Sequence, residues 1–415
     1  MAHTAGPQTT LRESRHPFVY TILIVPFGAG TGFVTVALAF LATKRGLSVQ
    51  QGAELVALSV LPQVWKFFWA PVADTTLTRR RWYLIASSVV ALGLMAMATL
   101  PLGPASLRLM QLIIVATSVA CTFVGFSVES FVAHLTPESD RGRTSGWFQA
   151  GNLGGSALGG GLGLWLLNVL PAAWQAGAIL AAVMLACNFA LFFLPDVPAE
   201  SRGTTLGAAI RNLGTDLWSV MWSRNGFICA VLCVIPVGTG AASAVLTQAE
   251  IAAHWGAGAK TVEMVQGLLA GLVSMAGCVL GGYGCNRWGS RRAYIGYGLV
   301  MAGVALAMAY LPATLPVYIG GSMAYSFTTG LTYAAFTGFV LDAIGAGNAA
   351  TKYNGFASLS NSPIWYMGLV LAAVETRFGN RNMLIAEAVC AVAGVLVFMA
   401  AVSLSRLRRA APVTA

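Results

Sequence analysis

Lys66 stands in an otherwise apolar run, Leu61-Pro62-Gln63-Val64-Trp65-Lys66-Phe67-Phe68-Trp69-Ala70-Pro71, which ends in Asp74 followed by Arg79, Arg80 and Arg81. An ammonium on an apolar helix pays a desolvation cost and is rarely idle; it holds a bound solute or pairs with a carboxylate. Glu129 is the matching carboxylate. It lies seven residues before Thr136-Pro137, a depth of roughly 10 Å, and Lys66 lies eight before Asp74, roughly 12 Å, at helical rise. Two readings stay open: a buried ion pair that locks two helices together, or an anchoring and protonatable pair. Lys66 could also snorkel toward the nearer surface.

Other polar side chains fall at comparable depths. Asp342 closes one apolar segment and joins the anchoring or proton-coupling candidates, whereas Glu387, near the outer end of the last segment, reads as structural. Gln63, Gln149, Asn152, Asn354 and Asn361, with Tyr325, Tyr333, Phe336, Trp365 and Tyr366, are candidate cavity lining, although helix-to-helix hydrogen bonds would account for many of the amides. Asp74, Arg79, Arg80 and Arg81, and a second set of Asn286, Arg287, Arg291 and Arg292, sit at segment ends. Charges there can bridge neighbouring helices on a closed face and release when it opens. A topology signal alone would explain the arginines but not Asp74 at a helix terminus.

The elements that position these residues require lipid. Of 415 residues 57% are hydrophobic and only 9% charged, with mean hydropathy +0.73, where soluble proteins carry about 25% charged residues. Twelve apolar segments, near 18–41, 52–73, 82–102, 107–135, 145–170, 173–195, 225–249, 262–284, 293–311, 314–341, 353–374 and 381–404, can each cross a hydrocarbon core of about 30 Å. The expected fold class is an all-α membrane protein with twelve transmembrane helices in two six-helix bundles. Its parts are a tail over 1–17, a first bundle over 18–195, a linker over 196–224, a second bundle over 225–405 and a tail over 406–415. In the linker Leu206, Ile210, Leu213, Leu217 and Met221 recur at helical spacing and predict a strut along the inner membrane surface.

The net charge of +10 is a matter of topology rather than of nucleic-acid binding. Arg12, Arg15, Arg79 to Arg81, Arg141, Arg143, Arg202, Arg211, Arg224, Arg287, Arg291, Arg292, Lys352, Arg406, Arg408 and Arg409 gather in one set of loops and tails. Lys44, Arg45, Arg108, Lys260, Arg377 and Arg381 fall in the other. The bias predicts both termini in the cytoplasm. The first 17 residues lack a signal-peptide layout, so the first helix is expected to be retained. Cys229 and Cys233 are four apart but bring no His or carboxylate with them, and no cofactor or metal is expected.

The two bundles read as repeats. Pro26-Phe27-Gly28-Ala29-Gly30 recurs 210 residues later as Pro236-Val237-Gly238-Thr239-Gly240, Leu100-Pro101 recurs as Leu311-Pro312, and Gly146 to Asn152 recurs as Gly355 to Asn361. Six helices per repeat make the copies parallel, related by an axis along the membrane normal, as in the major facilitator arrangement. Pro26, Gly28, Gly30, Pro236, Gly238 and Gly240 are helix-bending candidates, with ordinary close packing as the alternative. Gly151, Gly155, Gly159 and Gly163 make a bare stripe on which another helix can pack closely.

Lys66-Phe67-Phe68-Trp69-Ala70-Pro71 with Asp74 and Arg79-Arg80-Arg81-Trp82 resembles the signature of the AmpG-like branch of the major facilitator superfamily. Ala350-Thr351-Lys352-Tyr353 with Ser358-Leu359-Ser360-Asn361 is similar to the stretch entering helix 11 in that branch. The resemblance implies a permease of peptide-like, acetyl-CoA or siderophore solutes. It further implies uptake, with Lys66 a functional position. No ATP-binding motif appears, so a gradient must supply the energy, and a monomeric, proton-coupled importer in a bacterial-type inner membrane is expected. An exporter of the same fold, and a membrane enzyme or signalling protein without transport, are the alternatives; four histidines, two of them in the N-terminal tail, argue against the enzyme.

Overall fold

The computed structural model describes residues 16–44, 47–103, 105–195, 197, 206–344 and 349–410. Most of the tail expected over 1–17, and Arg12, Arg15, Arg45 and Arg202, lie outside the described residues. The secondary structure described is all helical. In the first half we number α1 (Phe18–Gly32), α2 (Val49–Trp65), α3 (Ala70–Thr75), α4 (Arg79–Thr99), α5 (Leu107–Leu135), α6 (Arg141–Ala157) and α7 (Ala173–Ala186). A connecting helix, α8 (Leu206–Trp222), leads to α9 (Arg224–Val234), α10 (Ala241–Val245), α11 (Ala270–Trp288), α12 (Ser290–Tyr310), α13 (Leu315–Ile344) and α14 (Ala349–Ala410).

Eight helices among the described residues are long and apolar enough to cross a membrane, fewer than the twelve segments expected. The difference has local causes. The last of the eight spans 55 residues and absorbs two segments, changing direction at Gly379, whose φ of +80° only glycine adopts freely. Segment 2 is interrupted at Trp69, and the glycines and amides of α6 dilute its apolar content. Segment 7 is not helical from 235 to 240.

Small residues decide which helices meet. On α6 Gly151 and Gly155, and just past its end Gly159, abut backbone of α1 at Thr21, Val25 and Ala29, while Gly163, further on, faces Phe33. A second face of α6, Gly142, Gly146 and Gly154, meets Asn286, Gly282 and Met275 of α11. Thus α6 is bare on two sides and forms the main seam between the halves. Equivalent helices pack alike in each half: α4 on α5 and α7, and α12 on α13 and α14. The ties repeat as well. The Tyr83 hydroxyl of α4 donates to Leu23 O of α1 at 2.8 Å, and that of Tyr294 on α12 donates to Val237 O at 2.9 Å.

The halves differ at the motif they share. Helix α1 runs on through Pro26, and Gly28 lies so close to Asn152 O of α6 that a Cβ there would collide. Segment 7 instead stops at Ile235, and Gly238 and Gly240 take φ of 66° and 64°. The backbone groups this frees are met by side chains, as a membrane interior demands. Tyr366 donates to Val234 O at 2.7 Å, Tyr294 to Val237 O, and Tyr318 to Leu246 O at 3.1 Å. Glu387 accepts from the Ala242 amide at 3.3 Å and from the Tyr325 hydroxyl at 2.5 Å.

Candidate functional site

Pro71 sets where Lys66 sits. Without an amide hydrogen it cannot continue the ladder of α2, and the chain makes a tight 3-10 turn over Lys66–Phe68 before α3 resumes. The Trp69 indole donates to Thr122 Oγ1 of α5 at 2.9 Å and fixes that turn against the neighbouring helix. Lys66 is thereby directed inward, 8% exposed, with its Nζ 5.7 Å from the centre of the Phe27 ring on α1. Glu129 of α5, 6% exposed, lies within electrostatic reach of Lys66. The two form no direct ion pair; Glu129 Oε2 instead accepts from Asn354 Nδ2 of α14 at 2.6 Å, across the two halves.

Three further links cross between the halves toward the arginine-rich end. Asp74, 1% exposed, makes the first: its Oδ2 accepts from the amide and hydroxyl of Thr351 at 3.1 and 2.6 Å, while its Oδ1 accepts from Arg79 of its own half at 2.8 Å. Arg79 is fully buried and also donates to Ser130 Oγ at 2.9 Å and to Ala73 O. This is a charge pair with its remaining hydrogen-bonding capacity filled, the arrangement in which burial is tolerable. At the rim Asn286 Oδ1 accepts from the Arg143 amide at 2.9 Å, and Arg141 lies 3.5 Å from Asp342.

A polar chain adjoins the Glu129–Asn354 bond. Asn152 donates to Gln149 Oε1 at 2.8 Å, Gln149 to Thr337 Oγ1 at 2.7 Å, and Thr337 meets the Tyr353 hydroxyl at 2.9 Å. It runs from α6 through α13 to α14. Of the residues singled out in the sequence, Lys66, Glu129, Gln63, Gln149 and Asn152 therefore lie at buried or half-buried positions near the contact between halves, and Tyr333 is half-buried on α13. Four lie elsewhere. Tyr325 is engaged with Glu387, Asp342 is at the rim, Asn361 is exposed, and Trp365 is 71% exposed.

The arginine clusters also divide. Arg80 donates to Leu191 O and Leu194 O, closing the end of its own half, whereas Arg81, Arg287 and Arg292 are exposed and Arg291 is half-buried. Sequence reasoning does not single out Arg141 as a bridge or Thr337 as a link, because a lone arginine in a basic loop and a lone threonine in an apolar helix carry no distinguishing pattern. Ala350-Thr351 is the one signal that leads to the Asp74 partner.

The family model described as Major Facilitator Superfamily matches residues 20–367. No curated protein matches the chain. Among solved structures, the human organic anion transporter MFSD10 (TETRAN) is similar over 93% of this chain and 100% of its own, with 17% identity and a TM-score of 0.69. The proton:xylose symporter XylE, bound to 6-bromo-6-deoxy-D-glucose, covers 93% of this chain and 95% of its own at 14% identity and a TM-score of 0.68. The transporter FucP in the outward conformation covers 92% and 96% at 14% identity and a TM-score of 0.68.

Proposed function

The chain belongs to the major facilitator superfamily, and from that premise we propose that it is a proton-coupled secondary transporter that imports a bulky solute by alternating access between two six-helix halves. Family and fold together point to a transporter rather than an enzyme. The observation that carries the mechanism is the 2.6 Å bond from Asn354 to Glu129, because it joins a titratable group to the contact that must part when the arginine-rich end opens. A carboxylate holds such a donor by a charge-assisted bond, roughly twice as strong as a neutral one. Taking up a proton weakens the contact, and losing it restores the seal. Asp74–Thr351 and Arg141–Asp342 close the same end and release with it.

The arginine-rich end is cytoplasmic in this reading, both termini lie inside, twelve spans cross a bacterial inner membrane, and α8 lies along its inner surface with Trp218 and Trp222 exposed. Siderophores and muropeptides are the solute classes favoured by the sequence from Lys66 to Trp82. Purified protein in proteoliposomes with an imposed pH gradient tests this. Wild type accumulates a ferric siderophore or a muropeptide, whereas Glu129→Gln exchanges solute at equilibrium but loses gradient-driven accumulation. Accumulation by Glu129→Gln at the wild-type level refutes the proton role, and accumulation only in the outward direction makes the protein an exporter.

A further inference from the structure

The inner face of α2 carries two polar groups that the protein itself leaves unsatisfied. Leu61, Val64, Trp65 and Phe68 are exposed, while Ser59, Pro62, Lys66 and Ala70 are buried. Gln63 and Lys66, one turn apart, therefore face the same way. Both amide atoms of Gln63 are closed off from solvent without a hydrogen-bond partner. The Lys66 ammonium makes no hydrogen bond or ion pair among the described residues, and Glu129 is committed to Asn354. Buried polar groups left in this condition destabilise a protein unless a bound group satisfies them. The wall beside Lys66 is the Phe27 ring, packed against Gly125 of α5.

We infer that Gln63 and Lys66 form a subsite for a carboxylate with an N–H or O–H next to it, so that the solute is an organic anion ending in an acylamino or hydroxy acid. The ammonium takes the charge. Gln63 Nε2 donates to the second carboxylate oxygen, and Gln63 Oε1 accepts from the adjacent N–H or O–H, which the dianion of a phosphate monoester cannot offer. The Phe27 ring lies against the carbon skeleton beside the anion. The inference rests on the transporter reading above and names the solute class for it.

Quenching of intrinsic tryptophan fluorescence in the detergent-solubilised protein tests the subsite, with N-acetylmuramyl-L-alanine, an acylamino acid, and 3-phenyllactate, a hydroxy acid, as probes and the methyl ester of each as control. The acids bind saturably and their esters at least about 10-fold more weakly, the range expected for loss of a charge-assisted bond. Lys66→Met removes the preference for acid over ester, Lys66→Arg retains it, and Gln63→Leu weakens the acids several-fold. Should Lys66→Met fail to fold, the ester comparison in wild type and the Gln63→Leu variant decide. Equal binding of acid and ester, an intact preference in Lys66→Met, or no binding of either acid overturns the inference. Gradient-driven flux of a neutral solute without acid binding would refute the subsite and leave the transport reading standing; acid binding without flux would do the reverse.

Discussion

At the scale of single residues, Asp74 and Arg79 show how one buried charge pair can serve two purposes. Arg79 is enclosed within its own half by Asp74, Ser130 and the Ala73 carbonyl, so its removal strands a carboxylate. Arg79→Leu is expected to cost about 3–5 kcal/mol, the usual penalty for leaving one partner of a buried pair alone, measured as a large fall in Tm. Thr351→Val removes only the hydroxyl bond across the halves. It should cost about 1 kcal/mol in stability and shift the protein toward opening at the arginine-rich end, read as faster alkylation of a cysteine introduced at Ala350, which is buried against Ala70, Ala73 and Phe126. Stability loss in Thr351→Val equal to that in Arg79→Leu would show that the two contacts form one unit.

At the scale of elements, helix α6 is the member that tolerates least change. A Cβ at Gly155 would stand 2.5 Å from the Val25 carbonyl of α1, with no flexible side chain to give way. Gly155→Val is expected to lose folded yield and, where folded, at least about 1–3 kcal/mol by overpacking, measured by size-exclusion recovery. Gly303→Ala on the exposed face of α12 meets nothing within contact and should be neutral or stabilising by up to about 1 kcal/mol. The glycine stripe is legible in the sequence because spacing alone reports it, as is the repeated Pro-Gly motif. What that motif does is not legible. Pro26 sits in a helix whose neighbour α6 holds it continuous, and Pro236 sits in one that breaks, so packing rather than local propensity decides. The site was legible in part for the same reason. Lys66 and Glu129 stand out as charges in apolar runs, but the choice of Asn354 over Lys66 as the carboxylate partner depends on how two helices far apart in sequence dock.

At the scale of the whole molecule, the seam between α6 and α11 and the contacts of α3 and α5 with α14 hold the halves together at the arginine-rich end. A Cβ at Gly142 would stand 2.7 Å from the Asn286 backbone nitrogen and 2.8 Å from the Cys285 Cβ of α11, inside contact distance. Gly142→Ala is therefore expected to push the seam apart by overpacking, measured as faster alkylation of the native Cys285. The severed segment 7 has a different consequence. Its carbonyls at Val234, Val237 and Leu246 are held by phenols from three other helices instead of by the next turn of their own. Each phenol can let go by a swing about its own bonds, with no peptide ladder to unzip. One half of the carrier thus behaves as a stiff frame and the other as a jointed arm, and deuterium should enter the amides between Ile235 and Leu246 well before those flanking Pro26.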